Sequence, residues 1–208
     1  MKYKKYWRKT SLKQKNIGDL FLKEILNSKP KNFLEIGIFQ GVTARNVCEL
    51  LYKTHNNSFK YIGIDKFDLD KKENNEFIPS IHFKNPLKQF YYRYIVKENP
   101  YSLKSVKNLL KKFDKNVFIF KGDSKIVLPK IDLNEIDYVF LDGGHSYDTV
   151  KSDLNNCKVV VENNGIVLCD DYDLSYAPGV KKAIDEFVIK EQYDIKILFN
   201  RFAKISQK

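Results

Sequence analysis

The sequence predicts an α/β protein: a mostly parallel, seven-stranded sheet with helices on both faces and an antiparallel hairpin at its C-terminal end. Three observations lead there. Short apolar runs, rich in β-branched and aromatic residues, alternate with longer segments of helical period. The runs are apolar throughout, as strands buried on both faces are. Each of the first five carries an acid at its carboxyl end or within a few residues of it, and in open parallel sheets ligands bind beyond those ends.

In chain order, Leu12, Ile17, Leu20, Phe21, Ile25 and Leu26 recur near helical spacing among lysines, which predicts an amphipathic helix over 11–28, closed by Lys29-Pro30. Residues 33–37 form a strand ending in glycine, 42–52 a helix, and 61–64 a second strand stopping at Asp65. A long polar stretch runs to Pro100, with Phe90, Tyr91, Tyr92 and Tyr94 clustered in it. Ser102 caps a helix through Phe113. Strands follow at 117–120 and 137–141, then a helix over 146–161 with Val150, Leu154 and Cys157 inward. A fifth strand covers 166–169 and a helix 180–189; 195–199 and 202–205 form the hairpin, turning at Asn200-Arg201.

A chain of 208 residues is sized for a single domain, 1–208, with a basic N-terminal helical segment at 1–31 and a lid-like insertion at 66–100. Hydrophobic residues at 43% exclude a disordered chain. No apolar run reaches the roughly 18 residues of a membrane span, and the charged start lacks the apolar core of a secretory signal. Cys48, Cys157 and Cys169 are odd in number and show no paired spacing. That argues against a disulfide frame or a zinc site and points to a reducing, cytoplasmic location. The net charge of +11 is concentrated in 1–31 (net +8) and 84–115 (net +7), leaving the rest acidic. Of 37 basic residues only Arg8, Arg45, Arg93 and Arg201 carry the guanidinium fork that reads phosphates and bases. The expected partner is therefore a small molecule, with nucleic acid disfavoured and a homo-oligomer left open.

The loop after the first strand reads Glu35-Ile36-Gly37-Ile38-Phe39-Gln40-Gly41. Phe39 stands where a dinucleotide fingerprint needs its second glycine, which disfavours a pyrophosphate ligand. A tight turn at Gly37, close packing at Gly41 and the acid Glu35 suit a cofactor bearing an amino group. Asp65, 24 residues after Gly41, is placed to accept hydrogen bonds from ribose hydroxyls. Gly122-Asp123-Ser124 after the third strand repeats the pattern on the adenine side, although Asp123 alone would read as a helix N-cap.

Together with Phe140-Leu141-Asp142-Gly143-Gly144-His145-Ser146-Tyr147, Leu168-Cys169-Asp170-Asp171-Tyr172-Asp173 and the segment from Gly179 to Phe187, these motifs carry a family resemblance. The chain resembles class I S-adenosylmethionine-dependent methyltransferases of Rossmann-like fold from Phe33 to Ile205. Within them it is similar to small-molecule O-methyltransferases of sugars and natural products. The resemblance implies that Glu35, Gly37 and Gly41 hold the methionine part of S-adenosyl-L-methionine, Asp65 the ribose, and Asp123 with Ser124 the adenine side.

If the fourth and fifth strands are neighbours, about 4.8 Å apart, Asp142, Asp170 and Asp171 converge. Three unpaired anions would repel one another, and a hard divalent cation such as Mg²⁺ would remove that penalty. The resemblance points the same way, to a metal held by these aspartates. His145 follows on a Gly-Gly loop facing the same cleft and is the candidate general base for a hydroxyl acceptor. The expected activity is metal-assisted methyl transfer to a hydroxyl of a small, anionic acceptor such as a nucleotide-linked sugar. Its rivals are an RNA or protein methyltransferase on the same fold, which lacks an N-P-P-Y-like tetrapeptide here, and a non-catalytic adenosine-binding domain.

Overall fold

The apolar runs become β1 (Asn32–Ile36), β2 (Lys60–Asp65), β3 (Val117–Lys121), β4 (Tyr138–Leu141), β5 (Ile166–Cys169), β6 (Asp194–Leu198) and β7 (Phe202–Ser206). The structure, a computed structural model, describes residues 7–68 and 83–208. Among these the strands form one sheet in the order β3-β2-β1-β4-β5-β7-β6. All pairings are parallel except those of β7 with β5 and β6, so the hairpin enters the sheet with its second strand inward.

The strands bury both faces because their residues alternate between two cores. Leu34 and Ile36 of β1, Ile62 and Ile64 of β2, and Val139 and Leu141 of β4 share a core with α6 (Tyr147–Glu162) and α7 (Pro178–Glu191). Phe33, Tyr61, Tyr138 and Phe140 point the other way, towards α1 (Lys15–Ser28), α2 (Val42–His55) and α4 (Leu103–Leu110). There Phe33 stacks between its register neighbours Tyr61 and Tyr138, with centroids 6.0 and 5.4 Å apart. The helix ends follow local chemistry: Ser102 and Ser146 accept from the backbone N–H groups of Ser105 and Thr149 as N-caps. Two further short helices, α3 (Pro86–Phe90), continued by a π-turn over Tyr91–Val96, and α5 (Ser124–Val127), complete the set among the described residues.

The first helix starts at Lys15, later than the expected 11–28, because the polar groups before it bond elsewhere. The Arg8 guanidinium donates to the carbonyls of Gln40 (3.0 Å), Pro100 (2.8 Å) and Ser105 (3.1 Å) and to Ser105 Oγ (2.7 Å). The Lys9 N–H donates to Gln40 Oε1, and Leu12 is fully buried. Residues 8–12 thus form an irregular strap over the glycine loop. Of the insertion expected at 66–100, residues 69–82 lie outside the described residues; Phe83 stacks on Tyr92, and Tyr91 meets Trp7 of the strap edge-on. Among the described residues no helix is long and apolar enough to cross a membrane.

The strand order reverses direction between β1 and β4, so the crevice at their carboxyl ends is the sheet's switch point. Gly37 and Asp142 meet there. Gly37 has φ +95°, and a Cβ on it would lie 2.1 Å from the Asp142 carbonyl oxygen and 2.7 Å from Gly143 Cα. Both backbone and geometry exclude any side chain. Gly37→Ala should therefore cost at least about 3 kcal/mol of unfolding free energy or prevent folding; chemical denaturation of the purified variant measures it.

Candidate active site

Glu35 ends up fully buried under the glycine loop, where the Tyr61 hydroxyl donates to its Oε2 at 2.7 Å and Oε1 has no hydrogen bond. Burial, reinforced by the charge of Asp65, pushes the Glu35 carboxyl up to about 8 against the Tyr61 hydrogen bond. Asp65, at the end of β2, accepts from the backbone N–H of Phe39 (2.7 Å) and Phe67 (2.8 Å) and from the Tyr101 hydroxyl (2.9 Å). Phe39 and Phe67 both have positive φ, which turns their amides onto the carboxylate, and their rings pack on that of Tyr101. Gly41 precedes α2, and a Cβ there would press on Val106 and Leu109 at 3.1 and 3.2 Å, so its bareness lets α4 close on α2. Asp123 caps α5 through the Lys125 N–H and pairs with Lys66 at 3.2 Å, with Ser124 buried behind it.

Asp142, Asp170 and Asp171 do converge: each offers a carboxylate oxygen, and these lie within 4.8 Å of one another. Parallel pairing of β4 with β5 brings the strand ends side by side. Asp170 and Asp171 are buried and Asp142 half-buried. The expectation of three unpaired anions needs correction, because Arg201, from the turn between β6 and β7, sits among them. Its Nε and Nη2 donate to the two oxygens of Asp170 at 2.6 Å each, and Nη2 lies 3.5 Å from Asp171 Oδ1. His145 Nε2 meets Asp171 Oδ2 at 2.8 Å, and the Ser11 hydroxyl of the strap donates to Asp142 Oδ2 at 3.0 Å. Asp171 has φ +60°, a left-handed conformation that aspartate tolerates better than most residues and that turns the chain out of β5.

The charges respond to this crowding. Burial first, then Asp170 and Asp171, hold the Asp142 carboxyl well above the usual carboxylate range. Burial also works to raise Asp171, but hydrogen bonds from His145 and Tyr176 and the Arg201 charge outweigh it and carry that carboxyl lower. Burial opposes the Arg201 charge, and Asp170 and Asp171 reverse that effect, so the guanidinium is held firmly protonated.

The structure therefore brings His145, Asp142, Asp170 and Asp171 into one cleft on the β4–β5 side of the switch point, with Glu35, Gly37 and Gly41 beside it. Asp65, Asp123 and Ser124 lie along the edge towards β3, on the other side of the glycine loop. Sequence reasoning missed Arg201, Tyr101, Gln40 and Ser11 as partners of these groups. The one signal for Arg201 was its type, an arginine in a chain whose cations are overwhelmingly lysine.

Strand order, switch-point cleft and acidic strand ends together define a Rossmann-like methyltransferase fold. A family model described as a methyltransferase domain matches residues 34–172, and the chain belongs to that family. No curated protein matches the chain. Solved structures of similar fold include the O-methyltransferase NovP, at TM-score 0.65 and 17% identity over 90% of this chain and 79% of that one. A methyltransferase of Podospora anserina, PaMTH1, bound to S-adenosylhomocysteine, superposes at TM-score 0.61 and 17% identity over 99% and 87% of the two chains. CalS11, a TDP-rhamnose 3'-O-methyltransferase of calicheamicin biosynthesis, gives 0.61 and 15% over 94% and 81%.

Because the fold raises the Glu35 carboxyl above its ordinary 4.5, the folded state binds a proton that the unfolded chain releases. That stabilisation is complete below pH 4.5 and is lost as pH rises to about 8. Glu35→Gln keeps an acceptor for Tyr61 and cannot ionise. In thermal scans without ligand it should melt with the parent at pH 5 and above it at pH 9.

Proposed function

We propose that this methyltransferase moves the methyl group of S-adenosyl-L-methionine to a hydroxyl of a small acceptor, a sugar or a glycosylated or nucleotide-linked metabolite, with His145 as base and a hard divalent cation such as Mg²⁺ at Asp142, Asp170 and Asp171. The observation that carries the reading is the His145–Asp171 pair standing beside Asp142 at the switch point. His145 Nε2 meets Asp171 Oδ2, so the carboxylate orients the ring, and in this reading the imidazole takes the acceptor proton. S-adenosyl-L-methionine, when bound, would supply a methyl group on its sulfonium, and His145 would take the proton of the acceptor hydroxyl as that oxygen is methylated. The imidazolium so formed is stabilised by the Asp171 carboxylate, as in other oriented histidine bases.

The cofactor's own residues fit the role. Gly37 lets the glycine loop lie directly against the Asp142 backbone, and Asp65 offers a carboxylate whose Tyr101 partner can yield to ribose hydroxyls. Asp123 and Ser124 lie at the next strand end, where the adenine belongs in this reading. The donor set of three carboxylates is the oxygen-only kind that Mg²⁺ prefers, and Asp171 Oδ1 is buried without a hydrogen bond. Such a cation, when bound, lowers the pKa of a hydroxyl placed on it. The reading takes 1–208 as a single domain and assigns acceptor contacts to the described part of the insertion, residues 83–100. Its lysines and Arg93 favour an anionic group there, and the exposed rings of Phe90 and Tyr94 a sugar ring, Tyr92 being buried against Phe83.

Two measurements test this. Calorimetry with S-adenosylhomocysteine should show binding to the parent and at least a tenfold loss in Asp65→Asn, roughly the worth of one charge-assisted hydrogen bond; unchanged affinity removes the ribose assignment. His145→Ala should lower kcat by about 10²–10⁴ while leaving that affinity intact. Full activity of His145→Ala, together with turnover indifferent to EDTA, overturns the base and the metal.

A further inference from the structure

The turn that delivers Arg201 is built for the purpose. Phe199 and Asn200 both adopt left-handed backbone, φ +53° and +49°, and the Arg201 N–H returns to the Leu198 carbonyl at 3.1 Å, a tight turn without glycine inside the three-residue loop between the paired Leu198 and Phe202. The Arg201 carbonyl accepts from the Tyr172 N–H at 2.8 Å, tying the turn to the loop that carries Asp170 and Asp171. The side chain lies over the Phe202 ring, is 13% exposed, and engages both oxygens of an Asp170 that is 1% exposed. A long cation anchored at both ends of its own residue does not wander into this position. It is the resident counter-charge of the cluster.

Charge counting gives that position a consequence. When a cation binds and all three carboxylates are ionised, the one guanidinium leaves two negative charges, which a single divalent cation neutralises; without Arg201 the same cation would meet three. Asp170 is also the carboxylate whose oxygens are most fully taken, since a bidentate fork uses both. We propose that Arg201 is a positioning and tuning residue that holds Asp170 and Asp171 in place when the site is empty of metal and weakens divalent-cation binding, by charge repulsion and by competition for Asp170. This rests on the metal reading proposed above.

A structural role alone and a tuning role predict opposite signs. If Arg201 only orders the loop, its loss disorders Asp170 and weakens metal binding. If it tunes the site, its loss tightens binding while lowering stability in the metal-free state. Mn²⁺ titration followed by electron paramagnetic resonance, on cofactor-free protein, reads affinity independently of turnover. Arg201→Gln should bind Mn²⁺ at least tenfold more tightly than the parent, and its Tm in EDTA should fall and be restored by Mn²⁺. Arg201→Lys keeps a point charge without the fork and should fall between the two; it carries the test alone if Arg201→Gln does not fold. Equal or weaker binding in the variants, with the parent binding Mn²⁺, overturns the tuning role and leaves the metal reading standing. Absence of Mn²⁺ binding in parent and variants alike overturns both.

Discussion

The site hangs on one backbone contact. Where β1 and β4 leave the sheet in opposite directions, Gly37 lies against the carbonyl of Asp142, closer than any residue with a Cβ could come. The Asp142 N–H on the Ile36 carbonyl at 2.8 Å joins the two segments there, while the Gly37 N–H on the Ile64 carbonyl of β2 at 2.9 Å holds the glycine loop from its other side. That contact fixes the glycine loop, which in the proposed reading holds the donor, against the loop bearing Asp142 and His145, which would act on the acceptor. Methyl transfer tolerates little misplacement of its reacting atoms, and a backbone-to-backbone contact is the least compressible way to set a distance.

Around this joint the fold spends polar groups to hold polar groups. Asp65 gathers two amides and a phenol, Asp170 a guanidinium, Asp171 an imidazole, and Gln40 a backbone amide of the strap. Burying carboxylates at this density is unfavourable unless each finds charge-assisted donors. The donors come from far along the chain: the strap, the start of α4 and the last hairpin. The cleft is thus closed by segments that are remote in sequence and that the same buried core, through Leu12, Val106 and Phe202, holds together.

The strands, their order of appearance and their acidic ends were legible because each is a local pattern: an apolar run of four or five residues, a turn, an acid. The convergence of Asp142 with Asp170 and Asp171 could be read from adjacency of two strands alone. The partners were not. Arg201 reaches Asp170 across 31 residues, Tyr101 reaches Asp65 across 36, and Arg8 reaches Ser105 across 97, and no periodicity encodes such pairings. Asp123 shows the reverse limit. Its N-cap of α5 is a local signal and was readable, whereas any contact with a ligand depends on what lies opposite. The strap escaped because the spacing of Leu12 and Ile17 suits a helix, while Arg8, Lys9 and Ser11 draw the chain onto the cleft instead.

The placement of β7 between β5 and β6 sets an order of assembly. The strand that completes the sheet is made after β6 and must fold back past it, so the inner seam with β5 closes through a non-local pairing, the slow kind. Asp170 and Asp171 precede Arg201 in the chain by about 30 residues, so their counter-charge is in place only once the hairpin has joined the sheet. In the folded protein the same hairpin that covers this corner also brings the guanidinium, so cover and counter-charge for the acids come from one element.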